Sequence, residues 1–580
     1  MDLSNDAAGT AASAAGETPA GTYFAPLAPG ATGHFLMKFR FDANQEYQQH
    51  AIEAVTGLFE GQPYVTPELR LDLSRGVSAV GNRLALDEAA LLRNLRSVQD
   101  HRGLAPDDEL KPIVETVRTA QGESEASFYN FSIEMETGTG KTYVYIRTAL
   151  ELSRTYGFKK FVVVVPSVAV REGVLKTFAV TREHFAGLFE NLPYRAYAYR
   201  SADLSQVRQF ALSDSTEFMV MTIDSFNKEL NVIRQSTDRL QGETPIHLVQ
   251  AARPILVLDE PQNMESEKSV AALAGLCPLM ALRYSATHRN PYNLVYRLTP
   301  YDAYRQGLVK RIEVDAVVQT DDESRPYIRL EKVASAKRTL TAKLRVHVLQ
   351  KSGVVKDKSV TVKPGDDLEK KTRRGEYAGY VVDEISLAEN TVRFANDVAL
   401  GAGQEYGADR EAIFKAQITN TVREHIAKQK KLKAHGVKVL SLFFVDKVAN
   451  YAEEDGIIRR LFAEAFDSLK AEYPEWKDLE PEDVQAAYFA RKRTRRGEVT
   501  LEDSSTGEAK KDVAAYDLIM KDKERLLSFE EPVSFVFSHS ALREGWDNPN
   551  VFQICTLNQS ASEMKKRQEI GRGVRLAVDT

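Results

Sequence analysis

The sequence predicts an α/β fold in which two parallel-sheet lobes follow one another with a small antiparallel β insertion between them. Three observations carry this. The apolar run FYNFSIEM leads straight into the glycine-rich turn ETGTGKT and then a stretch of helical spacing. A second buried-strand run, PILVLDEPQNM, ends on two adjacent carboxylates. Strand-then-loop wording returns in the last third of the chain, after a stretch that alternates apolar and polar residues.

The chain has 580 residues, which at roughly 100–200 residues per domain calls for about three or four domains. With 43% hydrophobic and 27% charged residues it falls outside the disordered and membrane classes. The longest apolar stretch, Phe161–Val165, is far short of the ~20 residues that cross a bilayer, so no membrane contact is expected. Residues 1–33 lack the basic start and apolar run of a secretory signal, and their Ala, Gly, Thr and Pro content predicts a flexible tail. Cys277 and Cys555 are too few for a disulfide framework or a cysteine metal site, which points to a reducing compartment, the cytoplasm. A net charge of −5 means that any nucleic-acid contact must come from a local patch. Three basic stretches are candidates: ARKRTRRGE at 490–498, KQKKLK at 428–433 and KKTRR at 370–374. Each taken singly is more often a solvated face than a phosphate track.

The first lobe is expected over 34–313. Its chemistry starts at Met135, where METGTGKT follows the strand. Thr137, Gly138, Thr139, Gly140, Lys141 and Thr142 match the end of a phosphate-binding loop, although Met135 stands where such loops usually begin with glycine. Backbone N–H groups would turn around phosphate oxygens, Lys141 would reach the β/γ-phosphates and the Thr142 hydroxyl would hold Mg²⁺. The following helix, with Tyr143, Ile146, Ala149 and Leu150 on one side, adds the partial positive charge of its N-terminus. Downstream, Asp259 can hold the Mg²⁺ water shell and Glu260 can orient and deprotonate an attacking water. The loop and the acids together predict ATP hydrolysis with Mg²⁺.

Further motifs, in this order along the chain, resemble superfamily 2 helicases and translocases. Glu46-Tyr47-Gln48 looks like the adenine-reading Q motif, with Gln48 as the base contact. VVVVPSVAVREGV at 162–174 and VMTIDSFNK at 220–228 sit where that superfamily touches the nucleic-acid backbone, which assigns DNA contacts to Pro166, Ser167, Arg171, Thr222 and Ser225. RYSATH resembles the motif that couples hydrolysis to movement, through Ser285 and Thr287. The second lobe, expected over 408–580 with an insertion at about 470–523, supplies VKVLSLFFVDKV and SFVFSHSALREGWDNPNVFQICTL, in which the resemblance makes Gly545 and Asp547 nucleotide contacts. QEIGRGVR gives the Q-x-x-G-R-x-x-R arrangement, so Gln568, Arg572 and Arg575 complete the resemblance to two RecA-like lobes. An arginine delivered by a second lobe would stabilise charge on the transferring γ-phosphoryl group.

The wording inside the motifs narrows the family. DEPQ, the run from Ser285 to Val314 and the run AYDLIMKDKERLLSFEEPVSFVFSHSALREGWDNPNVFQICTLNQ closely resemble the restriction (Res) subunit of type III restriction–modification enzymes, from about Phe39 onward. That resemblance implies double-stranded DNA and a methyltransferase (Mod) subunit as partners, and a separate nuclease domain beyond the arginine motif. The chain ends at Thr580, so the nuclease is expected to be absent from it. The formal match of Asp357 with Glu369-Lys370-Lys371 lies in a turn-and-charge stretch and is set aside. Between the lobes, 314–407 alternates in RIEVDAVVQT, YIRLEKV, LRVHVLQKSG, KSVTVKPGDD and YVVDEISL, as a small antiparallel sheet would. Two alternatives stand beside the motor: a nuclease-free translocase of another defence or repair system, and an ATP-gated scaffold for the methyltransferase.

Overall fold

The computed structural model describes residues 41–66, 69–72, 77–236, 244–315, 326–336, 339–350, 352–407, 410–453, 456–489, 491–493, 499–501, 518–519, 522–539, 546, 548–557 and 563–577. The expected tail at 1–33 lies outside them. The chain divides into two compact units, 1–310 and 311–580.

The first unit opens with α1 (Glu46–Gly57), the strand pair β1 (Leu69–Asp72) and β2 (Val77–Val80), α2 (Glu88–His101) and the hairpin β3 (Pro112–Thr119) and β4 (Gly122–Met135). Alternating elements follow: α3 (Lys141–Tyr156), β5 (Lys160–Val165), α4 (Val168–Val180), α5 (Arg182–Leu188), β6 (Tyr194–Ala198), α6 (Ser205–Leu212) and β7 (Thr216–Thr222). The unit then runs through α7 (Pro245–Ala252), β8 (Ile255–Asp259), α8 (Glu267–Ala274), β9 (Met280–Ser285), β10 (Leu294–Leu298) and α9 (Pro300–Arg305). The sheet order is β10-β4-β9-β8-β5-β7-β6, with β3 pairing antiparallel to β4 at its amino-terminal half and every other pairing parallel. Helical crossovers cover both faces of such a sheet, which is why FVVVV of β5 and ILVL of β8 are apolar without alternation and buried throughout. All the parallel strands end on the same edge. That edge gathers the loop after β4, the acids after β8, the Ser-Ala-Thr run after β9 and the turns after β5 and β7.

In the second unit the β-rich insertion forms two antiparallel sheets. β11 (Ile328–Ala336), β12 (Thr339–Leu349), β13 (Val355–Val362) and β17 (Glu405–Tyr406) are ordered β13-β12-β11-β17, and β14 (Val382–Ser386), β15 (Thr391–Phe394) and β16 (Ala399–Gly401) make the other. Leu330, Leu344, Val346, Tyr377, Val392 and Phe394 share their core. The described part of RIEVDAVVQT, 311–315, is not a strand. Asp357 does sit on a strand, β13, where it pairs with Arg345 at 2.8 Å, while Glu369, Lys370 and Lys371 lie on the short helix α10 (Leu368–Thr372). The KKTRR patch is largely neutralised: Lys370 pairs with Asp367, Lys371 with Asp366 and Arg374 with Glu376.

The second lobe is built on α11 (Arg410–Lys433), whose Phe414, Ile418, Val422 and Ile426 recur every fourth residue and are buried. Its sheet is parallel, in the order β19 (Gln485–Tyr488), β22 (Phe535–Ser538), β18 (Leu440–Phe444), β23 (Val551–Thr556). After β18 come the short α12 (Ala449–Ala452) and α13 (Ile457–Leu469), which supplies Phe462 and Phe466 to the core. Phe443 faces that core with Phe462 and Trp476, and its neighbours Leu442 and Phe444 face the other with Trp546, as the two-residue period of a strand requires. Part of the segment read as an insertion, Gln485–Tyr488, is therefore an edge strand of the lobe itself, and Tyr473 and Trp476 belong to its core. The hairpin β20 (Arg491–Arg493) and β21 (Val499–Leu501) follows β19.

Candidate functional site

The loop between β4 and α3 takes its shape from two glycines. Gly138 and Gly140 have φ of 86° and 84°, a left-handed conformation open to residues without a side chain. At Gly140 a Cβ would also stand 2.8 Å from the Gln48 carboxamide nitrogen. That nitrogen donates to the carbonyl of Thr139 at 3.3 Å, and the Tyr47 phenol donates to the same carbonyl at 3.1 Å. Gln48 and Tyr47 thus tie α1 to the loop from outside. Lys141 opens α3; its ammonium donates to the Met135 carbonyl at 3.3 Å and lies 3.6 Å from Glu260 Oε1.

Asp259 ends β8 and is buried. Burial, and then the neighbouring Glu260 charge, push its carboxyl up to about 7, against the pull of Lys141 and a hydrogen bond from Tyr145. Glu260, immediately before Pro261, adopts the left-handed φ 56° and ψ 57°, turning the chain sharply off the strand. Such a conformation costs a non-glycine residue about 1–2 kcal/mol and is held here by the Glu260 N–H bond to the Tyr284 carbonyl at 3.0 Å.

The carboxylate of Glu260 is fixed by groups from two directions. Gln262 donates its carboxamide N–H to Glu260 Oε2 at 2.8 Å. Ser285 Oγ lies 2.8 Å from Gln262 Oε1 and 3.1 Å from Glu260 Oε2, so its one proton serves one of them at a time, and it accepts from the Thr287 N–H at 2.9 Å. His288 follows, with Nε2 3.3 Å from the Ile133 carbonyl; burial lowers its pKa to about 4, which keeps the imidazole neutral beside Lys141.

The residues expected to touch DNA line the same edge, since Val165 of β5 is in register with Thr222 of β7. Ser167 caps α4 by accepting from the Val170 N–H at 3.4 Å, Arg171 pairs with Glu172 at 2.9 Å, and the Thr222 and Ser225 hydroxyls are 2.8 Å apart. In the second lobe Gln568 lies on the helix α15 (Glu563–Ile570), the next helix after α14 (Lys523–Leu527). Arg572 follows it and donates to the Trp546 carbonyl at 3.0 Å, and Arg575 is half-buried. Gly545 and Asp547 lie outside the described residues. Sequence reasoning missed Tyr47 as a contact, and it missed Tyr145, Gln262 and His288. Gln262 and His288 stand inside the DEPQ and RYSATH motifs without a role of their own, and Tyr145 stands one helical turn beyond Thr142, where nothing in the local pattern says what a buried tyrosine would meet.

Oxygen donors suit Mg²⁺: the Asp259 carboxylate and the Thr142 hydroxyl are hard ligands, and the raised proton affinity of Asp259 marks a buried anion that a cation would satisfy. Among the described residues no group of three or more His, Cys, Asp or Glu side chains is placed to hold a metal by itself, so phosphate oxygens would have to complete the shell. No helix among them is long and apolar enough to cross a membrane.

A glycine loop, a lysine and two strand-terminal acids on one edge of a parallel sheet define the class, an α/β protein with a turn of phosphate-loop form. Residues 43–290 match the family described as "Type III restriction enzyme, res subunit", and most of the chain's length is similar in sequence to type III Res subunits. The Res subunit of EcoP15I from Escherichia coli is 28% identical over 594 residues, covering 93% of this chain and 55% of that protein. The StyLTI Res subunit from Salmonella typhimurium is 29% identical over 515 residues, covering 78% of this chain and 50% of the other. The chain therefore spans about half the length of the curated relatives it matches. Among solved structures, the ATP-dependent type ISP restriction–modification enzyme LlaBIII bound to DNA aligns at 11% identity with a TM-score of 0.36, over 87% of this chain and 28% of that one.

Proposed function

We propose that this chain is the ATP-driven motor portion of a type III restriction enzyme, moving along or signalling along double-stranded DNA. The observation that carries the reading is the convergence of Lys141, Asp259 and Glu260, with Glu260 pinned by Gln262 and Ser285. Lys141 binds the β/γ-phosphates of ATP, and Thr142 and Asp259 hold Mg²⁺, which supplies charge neutralisation on the phosphate oxygens. Phosphate arriving at Lys141 replaces Glu260 as the partner of the ammonium. The released carboxylate then orients the attacking water and takes its proton. Gln568, Arg572 and Arg575 serve the developing charge from the second lobe, and Gly545 and Asp547 belong to the same nucleotide contacts.

Movement follows if the grip on DNA depends on the nucleotide. Ser285 touches the Glu260 carboxylate directly, and Pro166, Ser167, Arg171, Thr222 and Ser225 share the sheet edge on which hydrolysis occurs, so a change at Glu260 arises on the edge that would grip DNA. A methyltransferase subunit would select the DNA site, and the cytoplasm is the location where both meet DNA. The experiment is steady-state ATP hydrolysis with and without duplex DNA. The wild-type chain is expected to turn over ATP and to be stimulated by DNA, and Lys141→Ala to lose both; equal background rates in the two proteins would overturn the reading.

A further inference from the structure

Tyr145 sits on α3 one turn beyond Lys141 and is fully buried against the sheet. Its ring packs on Tyr284 with centroids 5.5 Å apart. A buried phenol needs a polar partner, and this one has a partner of particular kind. The hydroxyl donates to Asp259 Oδ2 at 3.3 Å. The phenol therefore holds the side chain at the end of β8 to which the reading above assigns Mg²⁺.

We propose that Tyr145 is a positioning residue for the metal, pinning one oxygen of Asp259 so that the other faces the ion. The inference rests on the function proposed above. Its physical basis is that a carboxylate at a strand end rotates freely about its terminal torsion unless one oxygen is tied. Groups that orient a metal ligand in this way change metal affinity by about tenfold to a hundredfold when removed.

The test is a Mn²⁺ titration followed by electron paramagnetic resonance, on the full chain with a non-hydrolysable ATP analogue at pH 8. The proteins are wild type, Tyr145→Phe, Asp259→Asn and the double variant. Tyr145→Phe removes the hydroxyl and keeps the ring on Tyr284. Mn²⁺ affinity is expected to fall about tenfold, with the metal-free affinity for the analogue, measured in EDTA, unchanged. In the Asp259→Asn background the same substitution should have no further effect, because the partner of the phenol is already altered. Wild-type Mn²⁺ affinity in Tyr145→Phe, or an equal loss in both backgrounds, overturns the proposal. So does a Tyr145→Phe chain that does not fold, since loss of one hydroxyl would then have broken the core. A wild-type chain that binds the analogue but no Mn²⁺ overturns the metal assignment and Tyr145 with it, whereas one that binds no analogue at all overturns the motor reading.

Discussion

Gln262 donates to the carboxylate of Glu260 at 2.8 Å, so the residue two positions past the proposed base is what orients it. The same carboxamide accepts from Ser285 through its oxygen, which links the loop after β8 to the loop after β9. Gln262→Ala removes both contacts and leaves the pairing of Glu260 with Lys141 in place. ATP turnover is expected to fall about tenfold, the scale on which loss of one hydrogen bond to a charged group is felt. Equilibrium binding of a fluorescent ATP analogue should stay within about twofold of wild type. Parallel turnover and binding measurements check this.

Gly140→Ala tests the backbone of the loop. A left-handed φ of 84° costs alanine about 1–2 kcal/mol, and its Cβ would push on the Gln48 side chain that now reaches the Thr139 carbonyl. Nucleotide affinity is expected to drop about tenfold or more, accompanied by a lower melting temperature, as read by calorimetry with and without the nucleotide.

Arg572 is anchored through its guanidinium to the Trp546 carbonyl, within the stretch that the sequence assigns to nucleotide contacts. If it meets the phosphoryl group in the transition state, Arg572→Ala lowers kcat by about a hundredfold or more while KM for ATP moves little. Steady-state kinetics separate this from a binding defect, which would raise KM and leave kcat.

His425 in the second lobe gives a pH dependence. It is fully buried between Trp476 and Phe535, bonds Ser441 at 2.7 Å, and has its pKa lowered to about 3 by burial and by the nearby Lys438 charge. The unfolded chain protonates this histidine near pH 6.5 and the folded one does not, so stability is full above about pH 6.5 and declines as pH falls toward 3. The slope is up to about 1.4 kcal/mol per pH unit inside that window. His425→Gln should flatten the decline between about pH 6.5 and 5 relative to wild type, measured as urea midpoints at each pH.

What the sequence made legible was local. Gly138 and Gly140 need a left-handed backbone, β5 and β8 are apolar without a break, and Asp259 and Glu260 come where such a strand must end, so loop, acids and sheet edge follow from neighbours along the chain. Contacts made across long sequence separations were not. Tyr145 meets Asp259 across 114 positions and Ser285 meets Glu260 across 25, and neither pairing leaves a periodicity to read. The edge strand β19 was hidden because QAAY is short and flanked by charge, so its pairing with β22 decides its state rather than its own pattern. The basic run KKTRR is mostly paired, in keeping with a solvated face: Asp366, Asp367 and Glu376, set around it by the turn and α10, neutralise most of its charge.

The most direct measurement of the central claim is ATP binding and ATP turnover on one preparation of Glu260→Gln in the presence of duplex DNA. The amide keeps the shape of the site and cannot take a proton, so binding should persist while turnover falls by about 10²–10⁴-fold. Turnover within about twofold of wild type, with ATP bound, would contradict the assignment of Glu260 as the base and the hydrolytic motor built on it.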